Sequence, residues 1–316
     1  MTNQLKVLIT GSSGMIGSEL GRMLDSCPCN LYDVWGLDRR DPQFFTPPHF
    51  IKHDLLNVLP PPVDNKVDVI VHLAANARVY DLVVDPKQAL ENMITTFNVL
   101  EYARKCENEP LVLFASSREI YGNNIRSMTK YESLGSQRDS ESPYAASKLA
   151  GESLCWSYMK SFGVNVVIMR FSNVYGKFDF SNRFIPLVIE KCMKGEEITI
   201  NGSNKVLDFT HIDDTVHGII SLIDNRSKWE SSSHREFNIA SGKGSRLVDV
   251  AHIIKKKLDS KSEIKIGQSL TGEVTNFIAD ISRIEALGWK PNVSLDEGID
   301  KSIEYYYQIF NKQNVT

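Results

Sequence analysis

Three glycines spaced three apart, Gly11, Gly14 and Gly17, stand between a short apolar run and an amphipathic one. Lys6-Val7-Leu8-Ile9-Thr10 reads as a strand, and Met15 to Leu24 carries apolar residues at helical spacing. The connection Thr10-Gly11-Ser12-Ser13-Gly14-Met15-Ile16-Gly17 therefore turns a strand directly into a helix. Glycines allow the tight turn and let backbone amides approach a pyrophosphate at the helix N-terminus. The next apolar run, Val34 to Leu37, ends at Asp38. That acid stands about 20 residues beyond the turn, the separation expected of a carboxylate on an adenosine ribose. Strand, glycine turn, helix, strand and acid together point to a dinucleotide.

Further apolar runs follow at Val67–Leu73, Leu111–Phe114 and Val164–Met169, with helical patterns over about 88–106 and 144–162. Short apolar strands alternating with helices predict a parallel sheet covered on both faces. The expected fold is α/β, a Rossmann-type doubly wound parallel sheet with a smaller, mixed C-terminal substrate domain. Residues 1–173, with about 206–242, are assigned to the dinucleotide domain, and 174–205 with 243–316 to the substrate domain. Beyond Arg170, loops rich in Asn, Gly and Asp separate shorter elements, and Ser227 to Arg235 reads as a polar loop. Asp296 to Phe310 is helical in pattern, and its Tyr305-Tyr306-Tyr307 cluster is expected to pack rather than to recognise a partner.

Charge narrows the partners. Lys and Arg number 36 against 39 Asp and Glu, a net charge of −3, which argues against a nucleic-acid binder. No apolar run approaches the roughly 18 residues that span a bilayer. The polar stretch Met1 to Lys6 does not read as a secretory signal, so a cytoplasmic protein is expected. Cys27, Cys29, Cys106, Cys155 and Cys192 are read as ordinary thiols of a reducing compartment; Cys27 and Cys29 lack the neighbours of a zinc site, and no metal is expected. Without a secretory signal, the glycosylation sequons at Asn225, Asn292 and Asn314 carry no weight.

The chemistry is expected at Ser142-Pro143-Tyr144-Ala145-Ala146-Ser147-Lys148. Tyr144 and Lys148 are four apart at the start of a helix, so both lie on one face. A phenol of pKa about 10 is a poor base near neutrality, and a lysine cation beside it favours the phenolate. Lowering that pKa by ~3 units requires roughly 4 kcal/mol of differential stabilisation. A close ammonium and the charge of an oxidised nicotinamide in a dry cleft are a plausible source. Upstream, Ser116 and Ser117 end the fourth strand, at the edge where ligands bind in open α/β sheets. A hydroxyl there is placed to bond the oxygen that loses its proton to Tyr144.

The Gly-x-x-Gly-x-x-Gly spacing points to the short-chain dehydrogenase/reductase superfamily. Over nearly its whole length the chain resembles the extended, NAD-dependent nucleotide-sugar epimerase/dehydratase family, which includes UDP-glucose 4-epimerase. The resemblance rests on the glycine turn, Asp38, His53-Asp54-Leu55, Val71-His72-Leu73-Ala74-Ala75, Asn92, Ser116-Ser117 and Ser142 to Lys148. It continues through Arg170-Phe171-Ser172-Asn173-Val174-Tyr175-Gly176, Asp208-Phe209-Thr210-His211-Ile212-Asp213-Asp214 and Leu287-Gly288-Trp289-Lys290-Pro291. It implies NAD as cofactor. Gly11, Gly14, Met15, Ile16 and Gly17 would border the pyrophosphate, Asp38 the ribose, and Asp54 and Leu55 the adenine. Leu73, Ala74, Ala75 and Asn92 would line the cofactor. Tyr144 would be the base, Lys148 its partner and a ribose ligand, Ser117 the hydroxyl partner, and Asn173 would open the sugar-nucleotide site. A homodimer through the helices near 88–106 and 144–162 is also implied. Asp38 would repel a 2′-phosphate and so favours NAD over NADP, whereas Arg39 and Arg40 could accommodate one.

Two departures matter. Where such enzymes carry arginines that clamp the diphosphate, this chain has Leu207 and Ser269-Leu270-Thr271. Arg183 and Lys205 are the nearby cations that could substitute. The resemblance also implies that dehydratases and decarboxylases place a glutamate at Glu119, preceded in the hexose 4,6-dehydratases by an acid. Here the preceding residue is Arg118, which cannot act as a general acid. The expected reaction is therefore C4-epimerisation of a UDP-hexose-type nucleotide sugar, isomerase rather than lyase. The alternative is dehydration or decarboxylation with Glu119 as base, and a non-catalytic NAD-binding regulator is the remote one.

Overall fold

The computed structural model describes residues 4–28, 30–59, 66–123, 140–202, 204–230, 234–268 and 274–313. The first half alternates strand and helix: β1 (Leu5–Thr10), α1 (Met15–Asp25), β2 (Tyr32–Asp38), β3 (His49–Lys52), β4 (Val69–His72), α2 (Val79–Val84), α3 (Lys87–Lys105), β5 (Leu111–Ser117), a 3-10 turn (Arg118–Tyr121), α4 (Pro143–Phe162) and β6 (Val166–Phe171). Shorter elements follow: β7 (Asn173–Tyr175), α5 (Phe184–Lys194), β8 (Ile198–Asn201), β9 (Val206–His211), α6 (Ile212–Asp224), α7 (Arg226–Trp229) and β10 (Glu236–Ile239). The chain continues with β11 (Gly244–Arg246), α8 (Leu247–Lys257), β12 (Ile264–Gly267), α9 (Ser282–Glu285) and α10 (Leu295–Gln313).

Seven strands form one parallel sheet in the order β10-β6-β5-β4-β1-β2-β3. β4, β5 and β6 are buried at every position, which is why they open on continuous apolar runs rather than alternating ones, with the polar residues His72, Ser116, Ser117 and Arg170 confined to their carboxyl ends. Apolar residues alternate between the two faces of the sheet instead. Val7, Ile9, Val69, Val71 and Val167 pack on the side of α1 and α6, whereas Leu8, Ile70, Val112 and Ile168 pack on the side of α3 and α4. The chain runs outward from β1 through β2 to β3, then returns to β4 on the other side. This reversal between β1 and β4 opens a crevice at the carboxyl ends of the strands. Two smaller sheets, β11-β9-β7 and β12-β8, belong with α5, α8 and α10 to a second apolar cluster that includes Ile189, Val250 and Ile299.

The structure departs from the sequence reading at several elements, α2 among them. β3 was not foreseen; only four residues long and partly exposed at the sheet edge, it has little hydrophobic patterning to show. The stretch read as a polar loop from Ser227 begins instead within α7, and Trp229 is buried with its indole N–H donating to the Leu222 carbonyl at 2.8 Å. One large ring docked on α6 outweighs the polar residues beside it. β7 begins at Asn173, inside a segment read as loop, and pairs with β9. In the tyrosine cluster, Tyr306 is buried and donates to the Gly176 and Asp179 carbonyls, while Tyr307 is exposed. Cys106, Cys155 and Cys192 are buried free thiols, and Cys29 and Leu270 lie outside the described residues.

Candidate active site

The crevice at the switch between β1 and β4 is a cleft of about 290 Å³. Its lining includes Gly11, Gly14, Asp38, Asp54, Leu55, Leu73, Ala74, Ala75 and Asn92, residues scattered over more than eighty positions of the chain. Its floor depends on glycine. Gly11 has φ +74°, and a Cβ there would lie 2.7 Å from the Ala74 nitrogen. A Cβ on Gly17 would lie 2.3 Å from the Gly11 carbonyl oxygen, so α1 starts against the turn only because that atom is missing. Met15 and Ile16 begin α1 and pack partly against the core.

Asp38 ends β2 and is 7% exposed. Its carboxylate accepts the Ser13 N–H at 3.1 Å and the Arg40 N–H at 2.9 Å, which aims it across the glycine turn. Asp54 accepts the Leu56 N–H at 3.0 Å, and the Leu55 carbonyl accepts from Asn98 at 2.8 Å. Asn92 bonds the Asn76 backbone in both directions and donates to the Ser147 hydroxyl at 3.2 Å. It therefore ties one wall of the cleft to α4. A narrow glycine-floored cradle with a braced acid at the second strand fits a dinucleotide.

α4 starts where the sequence predicts. The Ser142 hydroxyl accepts the Ala145 N–H at 3.2 Å, and Pro143 occupies the first turn. Tyr144 and Lys148 are both buried. The Lys148 ammonium donates to the Ala115 carbonyl at 2.8 Å and stands 5.7 Å from the Tyr144 ring centre. Burial pushes its pKa down to about 8. The Tyr144 phenol is pushed up by burial, opposed first by the Arg183 guanidinium and then by the Ser117 hydroxyl beside it. Glu119 raises it and Arg118 lowers it. Arg183, which precedes α5, is thus a positive influence on the phenol that comes from outside its own helix. Helical spacing brought Tyr144 and Lys148 to one face, but the long lysine chain reaches past the phenol to the end of β5.

The stripe continues to Glu152, one further turn along, which the sequence reading did not single out. Glu152 accepts from Arg170 at 3.0 and 2.7 Å and from the Ser116 hydroxyl at 2.5 Å. Arg170 also donates to the Tyr121 hydroxyl at 3.0 Å, which donates to Asn238 at 2.9 Å. Continuation of the four-residue spacing was the available signal for Glu152; nothing local pairs it with Arg170.

Glu119 and Arg118 form a buried ion pair at 2.8 Å just beyond Ser117. Asn173 donates to the Asp208 carbonyl at 2.9 Å. Leu207, at the position of an expected arginine, is buried in the second apolar cluster. Lys205 is buried just before β9 and is not among the groups acting most strongly on Tyr144, unlike Arg183. No group of His, Cys, Asp and Glu among the described residues could hold a metal ion.

Comparison with known proteins agrees with this architecture. Residues 7–240 match the model of the NAD dependent epimerase/dehydratase family. The chain belongs to that family. It is 28% identical to a candidate UDP-glucose 4-epimerase of Methanocaldococcus jannaschii over 95% of this chain and 97% of the relative. It is also 28% identical to UDP-glucuronic acid decarboxylase 1 of Danio rerio, over 95% of this chain and 72% of the relative. Among solved structures, UDP-glucuronic acid 4-epimerase of Bacillus cereus, in complex with UDP-glucuronic acid and NAD, superposes with a TM-score of 0.82 at 27% identity. That match covers 96% of this chain and 99% of the other. Relatives thus include both epimerases and a lyase. No helix among the described residues is long and apolar enough to cross a membrane.

Proposed function

We propose that the protein is a nucleotide-sugar C4-epimerase that holds NAD in the cleft and acts on a UDP-hexose-type substrate through a 4-keto sugar. One observation carries the reading: Ser117, Tyr144 and Lys148 converge at the end of β5, and α4, which carries two of them, is tied through Ser147 to Asn92 of the glycine-floored cleft. Gly11, Gly14 and Gly17 hold the pyrophosphate, Asp38 the adenosine ribose, and Asp54 and Leu55 the adenine. Lys148 bonds the second ribose. When bound, NAD supplies a hydride acceptor for carbon 4.

Tyr144 takes the proton of the carbon-4 hydroxyl and later returns it. Ser117 orients that oxygen. Arg183 favours the ionised phenol, opposing in part the burial that raises its pKa. Dry surroundings keep these charges strong and exclude water from the keto-sugar. Asn173 and Arg183 border the sugar-nucleotide site, and Lys205 is assigned to the diphosphate. The copies pair through α3 and α4, whose Leu90, Phe97 and Phe162 are exposed.

Isomerisation is favoured over elimination because the Glu119 carboxylate is ion-paired with Arg118. The second reading, dehydration or decarboxylation with Glu119 as base, is supported by the carboxylate's influence on Tyr144. Turnover in heavy water separates the two. An epimerase yields an isomer of unchanged mass with no deuterium on carbon, and Glu119→Gln keeps much of the activity. A product lighter by water or carbon dioxide, or carbon-bound deuterium lost with Glu119→Gln, overturns the epimerase reading. NAD binding without turnover of any nucleotide sugar would leave a non-catalytic regulator.

A further inference from the structure

Arg118 is 8% exposed, and among the described residues nothing accepts a hydrogen bond from its Nη1. Its other terminal nitrogen, Nη2, is held 2.8 Å from the Glu119 carboxylate. The guanidinium carbon stands 5.8 Å from the centre of the Phe277 ring, so the planar group is braced from the second apolar cluster. A fixed, buried guanidinium with one donor unanswered is a costly arrangement in a folded chain unless a ligand completes it.

Position says which ligand. Arg118 directly follows Ser117, the hydroxyl beside the Tyr144 phenol, and its charge acts on that phenol. On the reading above, the phenol marks carbon 4 of the sugar. A group that reaches Arg118 therefore hangs from the ring next to carbon 4, and the diphosphate hangs from carbon 1 on the far side. Charge says the rest. Arg183 and Arg118 both act on the phenol as cations, and Glu119, paired with Arg118 Nη2, acts as an anion. A carboxylate matches both the charge of the guanidinium and its unanswered donor; a neutral hydroxyl matches only the hydrogen bond.

We propose that Arg118 binds a carboxylate on the sugar, so that the preferred substrate is a nucleotide hexuronic acid rather than a neutral nucleotide hexose. The proposal rests on the nucleotide-sugar reading and narrows it. It also fits isomerisation. A guanidinium stabilises the carboxylate as an anion and so opposes its departure as neutral carbon dioxide, in which the bonding pair between the carboxyl carbon and the ring passes into the ring ketone.

The test is titration calorimetry of the NAD-loaded protein with UDP-glucuronic acid and UDP-glucose. The acid is expected to bind at least tenfold more tightly, about 1.4 kcal/mol. Arg118→Gln should abolish that preference while sparing the affinity for UDP-glucose, and Arg118→Lys should restore part of it. Equal binding of the two probes by the wild type overturns the proposal. So does an equal loss for both probes in Arg118→Gln, which would place Arg118 on the diphosphate or in a purely structural role. The wild-type comparison stands even if the variants do not fold. Binding of neither probe by folded, NAD-loaded protein overturns the nucleotide-sugar reading itself and this proposal with it.

Discussion

Glu152 on α4 and Arg170 on β6 form a two-bonded ion pair, at 3.0 and 2.7 Å, with both side chains 1% exposed. The pair lies two turns along α4 from Tyr144 and fastens the helix to the sheet. Removing one partner leaves an uncompensated buried charge. Arg170→Met should therefore destabilise the fold by about 3–5 kcal/mol, read from urea unfolding. Replacing both partners by apolar residues should cost less than the two single changes summed. A single variant within about 0.5 kcal/mol of wild type would show that the pair is not coupled to folding.

Tyr144→Phe removes the phenolic oxygen and little packing. Turnover should fall by at least about 10²-fold, the scale of a lost acid–base group. NAD binding and the melting temperature should be retained. Activity within tenfold of the wild type would mean that another group takes the proton.

The Asp38 carboxylate faces the glycine turn, and a 2′-phosphate on the ribose would meet it as a like charge. NAD should bind at least about tenfold more tightly than NADP, and Asp38→Asn should narrow that ratio. Equal affinities in the wild type would instead assign Arg39 and Arg40 to the phosphate. Arg40 is already close, its side chain 3.7 Å from the Asp38 carboxylate.

His72 ends β4 with Nδ1 2.8 Å from the Thr10 hydroxyl, and burial pushes its pKa down to about 3, helped by the Lys148 charge. The unfolded chain takes up a proton there below about pH 6.5, and the folded chain does so only near pH 3. Stability is therefore fully present above about pH 6.5 and falls by about 1.4 kcal/mol per pH unit as the pH drops below it. His72→Gln should flatten that slope between pH 6.5 and 5. A slope unchanged by the substitution would show that His72 titrates normally in the folded protein.

Local chemistry was legible in the chain itself. The turn at Gly11 to Gly17, the cap at Ser142 and the shared face of Tyr144 and Lys148 each depend on neighbours within a few residues, and short-range sterics and hydrogen bonds decide them. The parallel sheet was also visible, because strands buried on both faces carry near-continuous apolar runs. What pairs across the fold was not. Arg183 reaches the field of Tyr144 from the residue before α5, Glu152 finds Arg170 across the sheet, and Trp229 turns a polar stretch into a docked helix. Likewise, Arg118 could be identified from the chain as an unusual residue beside Ser117, yet its unanswered donor exists only because Phe277 and Glu119 close around it. Burial and charge pairing are set by which distant segments the packed core brings together, and only the tertiary structure decides that.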